Sequence, residues 1–113
     1  MPFIDTKVSA KITEEDKKIL TARLGKAIEL LPGKTERWLM LAFTGEVDMA
    51  FAGTLGDCAM VNVKIFDKST DKAYSALTAE ICRIMSEVLA ISPDRVYVQY
   101  DECSFWGYNG SNF

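Results

Sequence analysis

Residues 58–66 read CAMVNVKIF, and every second side chain is small or branched and apolar: Ala59, Val61, Val63 and Ile65. This period-two alternation predicts a β-strand with one buried face. A turn-forming DKSTDK follows, and an apolar stripe at three-to-four spacing then predicts a helix, with the members Tyr74, Leu77, Ile81, Ile84, Met85 and Val88. SPDR ends that helix, and VYVQY at residues 96–100 predicts another strand.

The first half of the chain has the same order. A β-like run starts directly after Pro2, and a helical stripe follows at Ile19, Leu20, Leu24, Ala27, Ile28 and Leu31. Thr13, with acidic residues behind it, predicts the N-cap of this helix. PGK at residues 32–34 ends the helix, and RWLMLAF, Arg37 to Phe43, predicts the next strand.

Each half therefore predicts strand, helix, strand, within a single domain over residues 1–113 whose internal repeat spans about 1–57 and 58–113. The predicted class is α+β, a pseudo-two-fold β-α-β-β-α-β unit with two helices on one four-stranded sheet. Two helices cover only one face of the sheet, yet WLMLAF and VYVQY are apolar at nearly every position. We therefore expect further copies of the same chain to cover the second face.

Composition excludes several classes of function. The net charge of −3 offers no basic surface for nucleic acid, and no apolar run reaches the roughly 20 residues needed to cross a bilayer. The start lacks the layout of a signal peptide, so we expect a cytoplasmic protein, with non-classical secretion left open. The chain has no histidine, which removes Ser-His-Asp and Cys-His nucleophile systems and the commonest metal ligand.

The three cysteines, Cys58, Cys82 and Cys103, form no CxxC pair, so neither a zinc site nor a disulfide framework is indicated. We expect no metal and no cofactor, and we expect each cysteine to be a small buried hydrophobic residue.

Pro2 directly follows Met1 and is the main candidate for chemistry. Methionine is usually trimmed before a small residue, which would leave a free secondary amine. An unperturbed α-amino group has a pKa of about 7.7–8.0, and burial or a nearby lysine lowers it. Such an amine is neutral near pH 7 and can act as a general base. The alternative is that proline at this position is common and only restricts the first φ angle.

Five motifs make the sequence resemble the tautomerase superfamily, and within it the macrophage migration inhibitory factor and D-dopachrome tautomerase family. They are MPF at the start, Gly33 with Lys34, MAFAGTLGDCA at residues 49–59, ISPDRVYVQY at 91–100 and WGYNGSNF at 106–113. The resemblance implies the same β-α-β-β-α-β unit, assembled as a homotrimer with active sites between subunits.

The resemblance also implies an activity and a set of site residues. Pro2 would be the catalytic base in keto–enol isomerisation of arylpyruvates such as phenylpyruvate, and of dopachrome analogues. Lys34 would bind the substrate carboxylate, Tyr97 would enter the pocket from the neighbouring subunit, and Phe113 would lie near the rim. The chain is thus expected to be a phenylpyruvate tautomerase or dopachrome isomerase that needs no cofactor.

Four further pocket positions depart from the family pattern. Gln99 stands in place of an asparagine, and Phe66 in place of an isoleucine whose backbone amide helps to hold the carboxylate. Trp106 replaces a valine and Tyr108 a tryptophan, so larger aromatics narrow the expected site and leave the preferred substrate open. The CxxC motif of the animal cytokine is incomplete because Val61 holds its second position, so its thiol-redox activity is not expected here.

Two other functions remain open at this point. One is a non-catalytic, cytokine-like trimeric binding protein with only vestigial tautomerase activity, and the other is different chemistry on the same proline, such as decarboxylation or dehalogenation. Individual residues also have plainer interpretations. Lys34 fits a solvated lysine at a helix end, and Tyr97, Trp106 and Tyr108 fit packing at an oligomer interface.

Overall fold

The computed structural model describes residues 1–113 and has two helices on one face of a four-stranded mixed sheet. This confirms the predicted α+β class. The sheet strands are β1 (Pro2–Val8), β2 (Met40–Thr44), β3 (Ala59–Phe66) and β4 (Val96–Cys103), the helices are α1 (Glu14–Ala27) and α2 (Asp71–Leu89), and a C-terminal hairpin contains β5 (Gly107–Tyr108) and β6 (Ser111–Asn112).

The strand order β2-β1-β3-β4 reflects the internal repeat. Within each half the two strands are parallel, since β1 pairs with β2 and β3 pairs with β4 across a helical crossover. The two halves meet where β1 and β3 run antiparallel at the centre of the sheet. Residues far apart in sequence, such as Pro2 and Ile65, therefore become direct neighbours.

Helix α1 begins where the sequence predicted it. The Thr13 hydroxyl accepts a hydrogen bond from the Asp16 amide at 3.0 Å, and the Asp16 carboxylate accepts one from the Thr13 amide at 3.1 Å. This reciprocal capping box satisfies two backbone donors that the first helical turn would otherwise leave free. Its acidic residues also lie at the positive end of the helix dipole.

The core lies between the helices and the sheet. Helix α2 contributes the fully buried Leu77, Ile81, Ile84 and Met85, and the face of β3 predicted to be buried is buried throughout, at Ala59, Val61, Val63 and Ile65. Full burial of one such aliphatic side chain stabilises the fold by roughly 1.5–3 kcal/mol. This packing fixes which face of each strand points away from the helices.

The predicted strand from Arg37 to Phe43 is wrong at its start. Glu36–Trp38 form a 3₁₀ turn, with the Trp38 amide donating to the Thr35 carbonyl at 3.2 Å, and β2 begins only at Met40. An apolar run does not distinguish a strand from a turn whose aromatic side chain packs elsewhere. Trp38 therefore lies outside the sheet, beside the C-terminal hairpin.

The second face of the sheet is uncovered within one chain. On this face the Met40 and Tyr97 side chains are 68% and 61% exposed. This agrees with the expectation that the two helices cover only one face of the sheet, and cover of the second face by further copies of the chain stays a prediction. No helix in the structure is long and apolar enough to cross a membrane.

Candidate active site

Pro2 is buried at the first position of β1 and lines a cavity of about 440 Å³. The remaining walls come from the chain terminus, the segment before β2 and the C-terminal hairpin: Met1, Phe3, Arg37, Trp38, Leu39, Met40, Trp106, Gly107 and Tyr108. Pairing of β1 between β2 and β3 holds the proline in the sheet. The terminus is thus fixed at the floor of an aromatic-lined cavity.

A tight turn positions Lys34 near this terminus. The Lys34 amide donates to the Leu31 carbonyl at 3.0 Å, Pro32 occupies the second position, and Gly33 has a φ of 82°. A type II turn requires a positive φ at its third position, and glycine adopts it without steric cost. The PGK motif therefore ends the helical segment and also aims the lysine.

The Phe66 backbone links the lysine to the chain terminus. The Lys34 ammonium donates to the Phe66 carbonyl at 3.0 Å, and the Phe66 amide donates to the Met1 carbonyl at 3.0 Å. Burial, and secondly the positive charge of Lys34, lower the pKa of the Met1 amine below its usual value of 8.0. Both effects disfavour the protonated form, so an amine held at this place is more available as a base.

Aromatic rings enclose the space above the terminus. A second cavity, of about 390 Å³, is lined by Met1, Gly33, Trp38, Phe66, Tyr108 and Phe113. The Trp38 and Tyr108 rings meet edge to face at 5.2 Å between centroids, and the Phe66 and Phe113 rings lie 5.8 Å apart. These contacts bring residues from three distant segments around one apolar space.

The C-terminal hairpin supplies part of this aromatic wall. Its turn contains Asn109 and Gly110 at φ 51° and 89°, the pair of positive angles that a type I′ hairpin turn needs. The Phe113 amide donates to the Trp106 carbonyl at 3.0 Å, which closes the hairpin and sets the Tyr108 and Phe113 rings nearly parallel. An Asn-Gly pair between two short strands is typical of a hairpin turn and is visible in the sequence.

Six of the eight predicted site residues therefore lie together in one chain: Pro2, Lys34, Phe66, Trp106, Tyr108 and Phe113. Tyr97 and Gln99 do not. Tyr97 pairs with Met60 near the far end of β3, five positions from the Ile65 that neighbours Pro2, or about 16 Å along the strand. Within one chain, Tyr97 and Pro2 belong to opposite ends of the sheet.

Tyr97 has its own ordered surroundings. Its ring meets the Phe51 ring edge to face at 5.0 Å, and the Arg95 guanidinium lies 5.5 Å from the centre of the same Phe51 ring. Arg95 also donates five hydrogen bonds into residues 51–57, which holds that loop against the start of β4. The loop thereby fixes one side of the exposed Tyr97 ring.

Sequence reasoning missed Arg37 and Trp38 as lining residues. The Arg37 guanidinium lies 4.9 Å from the centre of the Trp38 ring, and both side chains line the cavity above Pro2. In the sequence, an arginine–tryptophan pair follows shortly after the Gly33–Lys34 turn and could have indicated a binding role. The apolar residues that come next favoured a strand instead. Loop residues of this kind acquire a role only through their position in the fold.

Comparison with known proteins agrees with this architecture. The family model for macrophage migration inhibitory factor (MIF) matches residues 1–113. The rat macrophage migration inhibitory factor is 32% identical over 99 residues, which cover 83% of this chain and 80% of the relative. The crystal structure of Leishmania major MIF2 has a TM-score of 0.94 at 28% identity, covering 100% of this chain and 97% of that one.

A macrophage migration inhibitory factor-like protein from Entamoeba histolytica has the same fold, with a TM-score of 0.88 at 23% identity, over 99% of this chain and 98% of that chain. The match to the family model covers the whole chain, and the rat relative is aligned over most of its length. The chain belongs to the macrophage migration inhibitory factor family of the tautomerase superfamily.

Proposed function

We propose that this chain is a keto–enol tautomerase, acting on arylpyruvates such as phenylpyruvate or on dopachrome-type compounds, with the amine of Pro2 as general base. The observation that carries the proposal is the position of the amino terminus. The Met1 amine is partly buried beside Lys34 and its pKa is lowered, and the nitrogen of Pro2 is the next one along the chain. A base works best when its pKa is close to the operating pH.

The mechanism requires removal of Met1. While Met1 is attached, the Pro2 nitrogen is a tertiary amide whose lone pair is delocalised, and it cannot accept a proton. After removal, the neutral secondary amine takes a proton from the carbon next to the substrate carbonyl, and the bonding electrons form the enol double bond. The same ammonium then gives its proton to the carbonyl oxygen, which restores the neutral amine and balances the reaction.

Removal of Met1 also frees a place for the substrate carboxylate. The Phe66 amide currently donates to the Met1 carbonyl, and that acceptor leaves together with Met1. Lys34 has three donors and uses one of them on the Phe66 carbonyl. The Phe66 amide and the Lys34 ammonium are then two neighbouring donors, a combination suited to binding a carboxylate.

We further propose that the protein is a homotrimer in which Tyr97 and Gln99 reach the Pro2 site of a neighbouring subunit. The exposed apolar side chains on the helix-free sheet face support this, as does the distance between Tyr97 and Pro2 within one chain. Light scattering should give about three times the chain mass of 12.6 kDa. A stable monomer at micromolar concentration would rule out both the assembly and the shared site.

The proposed activity is tested by measuring intact mass and phenylpyruvate turnover on the same preparation, before and after aminopeptidase treatment. Turnover should follow the fraction of chains that begin at Pro2, with a gap of about 10²–10⁴-fold between trimmed and capped chains. A Pro2→Ala variant, trimmed in the same way, keeps a free primary amine and separates the effect of the ring from that of processing. Equal turnover by fully capped and trimmed chains would refute Pro2 as the base.

A further inference from the structure

The two cavities at the amino terminus are separated by only a few side chains. Met1, Trp38 and Tyr108 line both of them, and Pro2 lies on the floor of the larger one. Met1 is the only one of these shared residues that processing would remove. Its loss would join the cavities into one groove with aromatic walls, from Gly33 and Phe66 at one end to Arg37 at the other.

Arg37 is the only charged side chain that lines the larger cavity. It is also the only arginine without a hydrogen-bonding or acidic partner, because Arg23 pairs with Glu87, Arg83 pairs with Glu80, and Arg95 donates to backbone carbonyls. Stacking on the Trp38 ring at 4.9 Å keeps the guanidinium at the cavity wall. Arg37 is exposed and donates no hydrogen bond within the chain, so its donors are accessible to an acceptor on a ligand.

Neither cavity contains an acidic residue, although the chain has 16 acidic and 13 basic residues. The nearest acid in sequence, Glu36, turns away and packs its carboxylate over Gly25 of α1. The groove thus has Lys34 behind the Phe66 wall at one end and Arg37 at the other, and no acidic residue of the same chain lines it between them. This distribution favours a ligand with two negative groups separated by an apolar, aromatic middle.

We propose that the site binds aromatic dianions, and specifically that its substrate is an aromatic 2-oxo acid with a second acidic group on its ring. Lys34 and the Phe66 amide bind the 2-oxo-acid carboxylate, and Arg37 binds the distal acidic group. The reaction itself rests on the function proposed above, whereas the preference for two charges is a property of binding. The two ideas can therefore fail separately.

The test uses calorimetry on chains trimmed to Pro2, with two unreactive probes, cinnamate and 4-carboxycinnamate, of which the second has an additional carboxylate on the ring. Trimmed wild type should bind the dianion at least about tenfold more tightly, which is the lower range for a charge-assisted contact. Arg37→Gln should reduce the preference to about twofold or less, and Arg37→Lys should restore part of it. Arg83→Gln removes the same charge from the far side of α2 and should keep the wild-type preference.

Three outcomes would overturn the inference. They are equal binding of both probes by wild type, an unchanged preference in Arg37→Gln, and an equal loss of preference in Arg83→Gln, which would indicate a general charge effect. Comparing the turnover of phenylpyruvate with that of (4-carboxyphenyl)pyruvate then shows whether the preference for the second charge extends from binding to catalysis. If the dianion binds through Arg37 but neither 2-oxo acid is isomerised, the preference for aromatic dianions stands, whereas the proposed substrate and the tautomerase proposal both fall.

Discussion

Replacing Arg95 with alanine should loosen the loop that precedes β3. The guanidinium uses five hydrogen bonds, to the carbonyls of Phe51, Thr54, Gly56 and Asp57 and to the Thr54 hydroxyl, at 2.8–3.3 Å. It also lies over the Phe51 ring. These are all the donors that an arginine has, so no other side chain can replace the whole set.

The expected cost follows from these contacts and from the exposure of the loop. Most residues from 51 to 57 are exposed, so water can satisfy the released carbonyls, and each bond is counted at the low end of about 0.5 kcal/mol. Five such bonds, with about 0.5 kcal/mol for the contact of the cation with the ring, give about 3 kcal/mol. For a chain of 113 residues this corresponds to a fall in Tm of about 12 °C.

The assay is thermal unfolding at fixed protein concentration, together with hydrogen exchange of the Phe51 and Thr54 amides, which bond each other's carbonyls. Arg83→Ala is the matched control, because it removes one exposed ion pair worth only about 0.3–0.5 kcal/mol. Arg95→Lys should lie between wild type and Arg95→Ala. If Arg95→Ala lowers Tm no more than the control does, and the exchange rates stay unchanged, Arg95 does not organise the loop.

In a chain that begins at Pro2, Lys34→Ala should raise the pKa of the terminal amine and move the rising limb of the pH–rate profile to higher pH. We expect kcat/KM to fall about tenfold or more, and an unchanged profile would make Lys34 an ordinary surface lysine. Thr13→Ala breaks the capping box with Asp16 and should lower the free energy of unfolding by about 1 kcal/mol in urea denaturation, whereas no measurable change would show that the cap is dispensable. Burial and the hydrogen bond to Glu102 raise the pKa of Tyr74 to about 12, and burial also raises the pKa of Tyr100. Ultraviolet titration should therefore show late phenolate ionisation, and Tyr74→Phe should remove the Tyr74 part of it. Since the unfolded chain then loses this proton first, the free energy of unfolding should fall between about pH 10 and pH 12, and a Tyr74 that ionises at its usual value would contradict this.

The elements of the fold were predictable because their signals are local. Period-two alternation in residues 58–66 and the three-to-four stripe in α2 each report which side chains are buried, and Thr13 marked the start of α1. The repeated β-α-β succession along the chain followed from the presence of this pattern in both halves. The start of β2 was not predictable, because Arg37 and Trp38 belong to an apolar run that reads equally well as strand or turn.

The sequence by itself determined the two helices, most of the sheet strands, the Thr13 cap and the end of the first helical segment at PGK, and it singled out Pro2 and Lys34 as candidate site residues. The tertiary structure decided what surrounds them. Antiparallel pairing of β1 with β3 places Met1 against Phe66, and this contact brings the terminus beside Lys34. Caps, turns and apolar periodicity depend on a few neighbouring residues, so they can be predicted along the chain. A site depends on strand register and on loop packing between distant segments, and the pattern of neighbouring residues does not specify these.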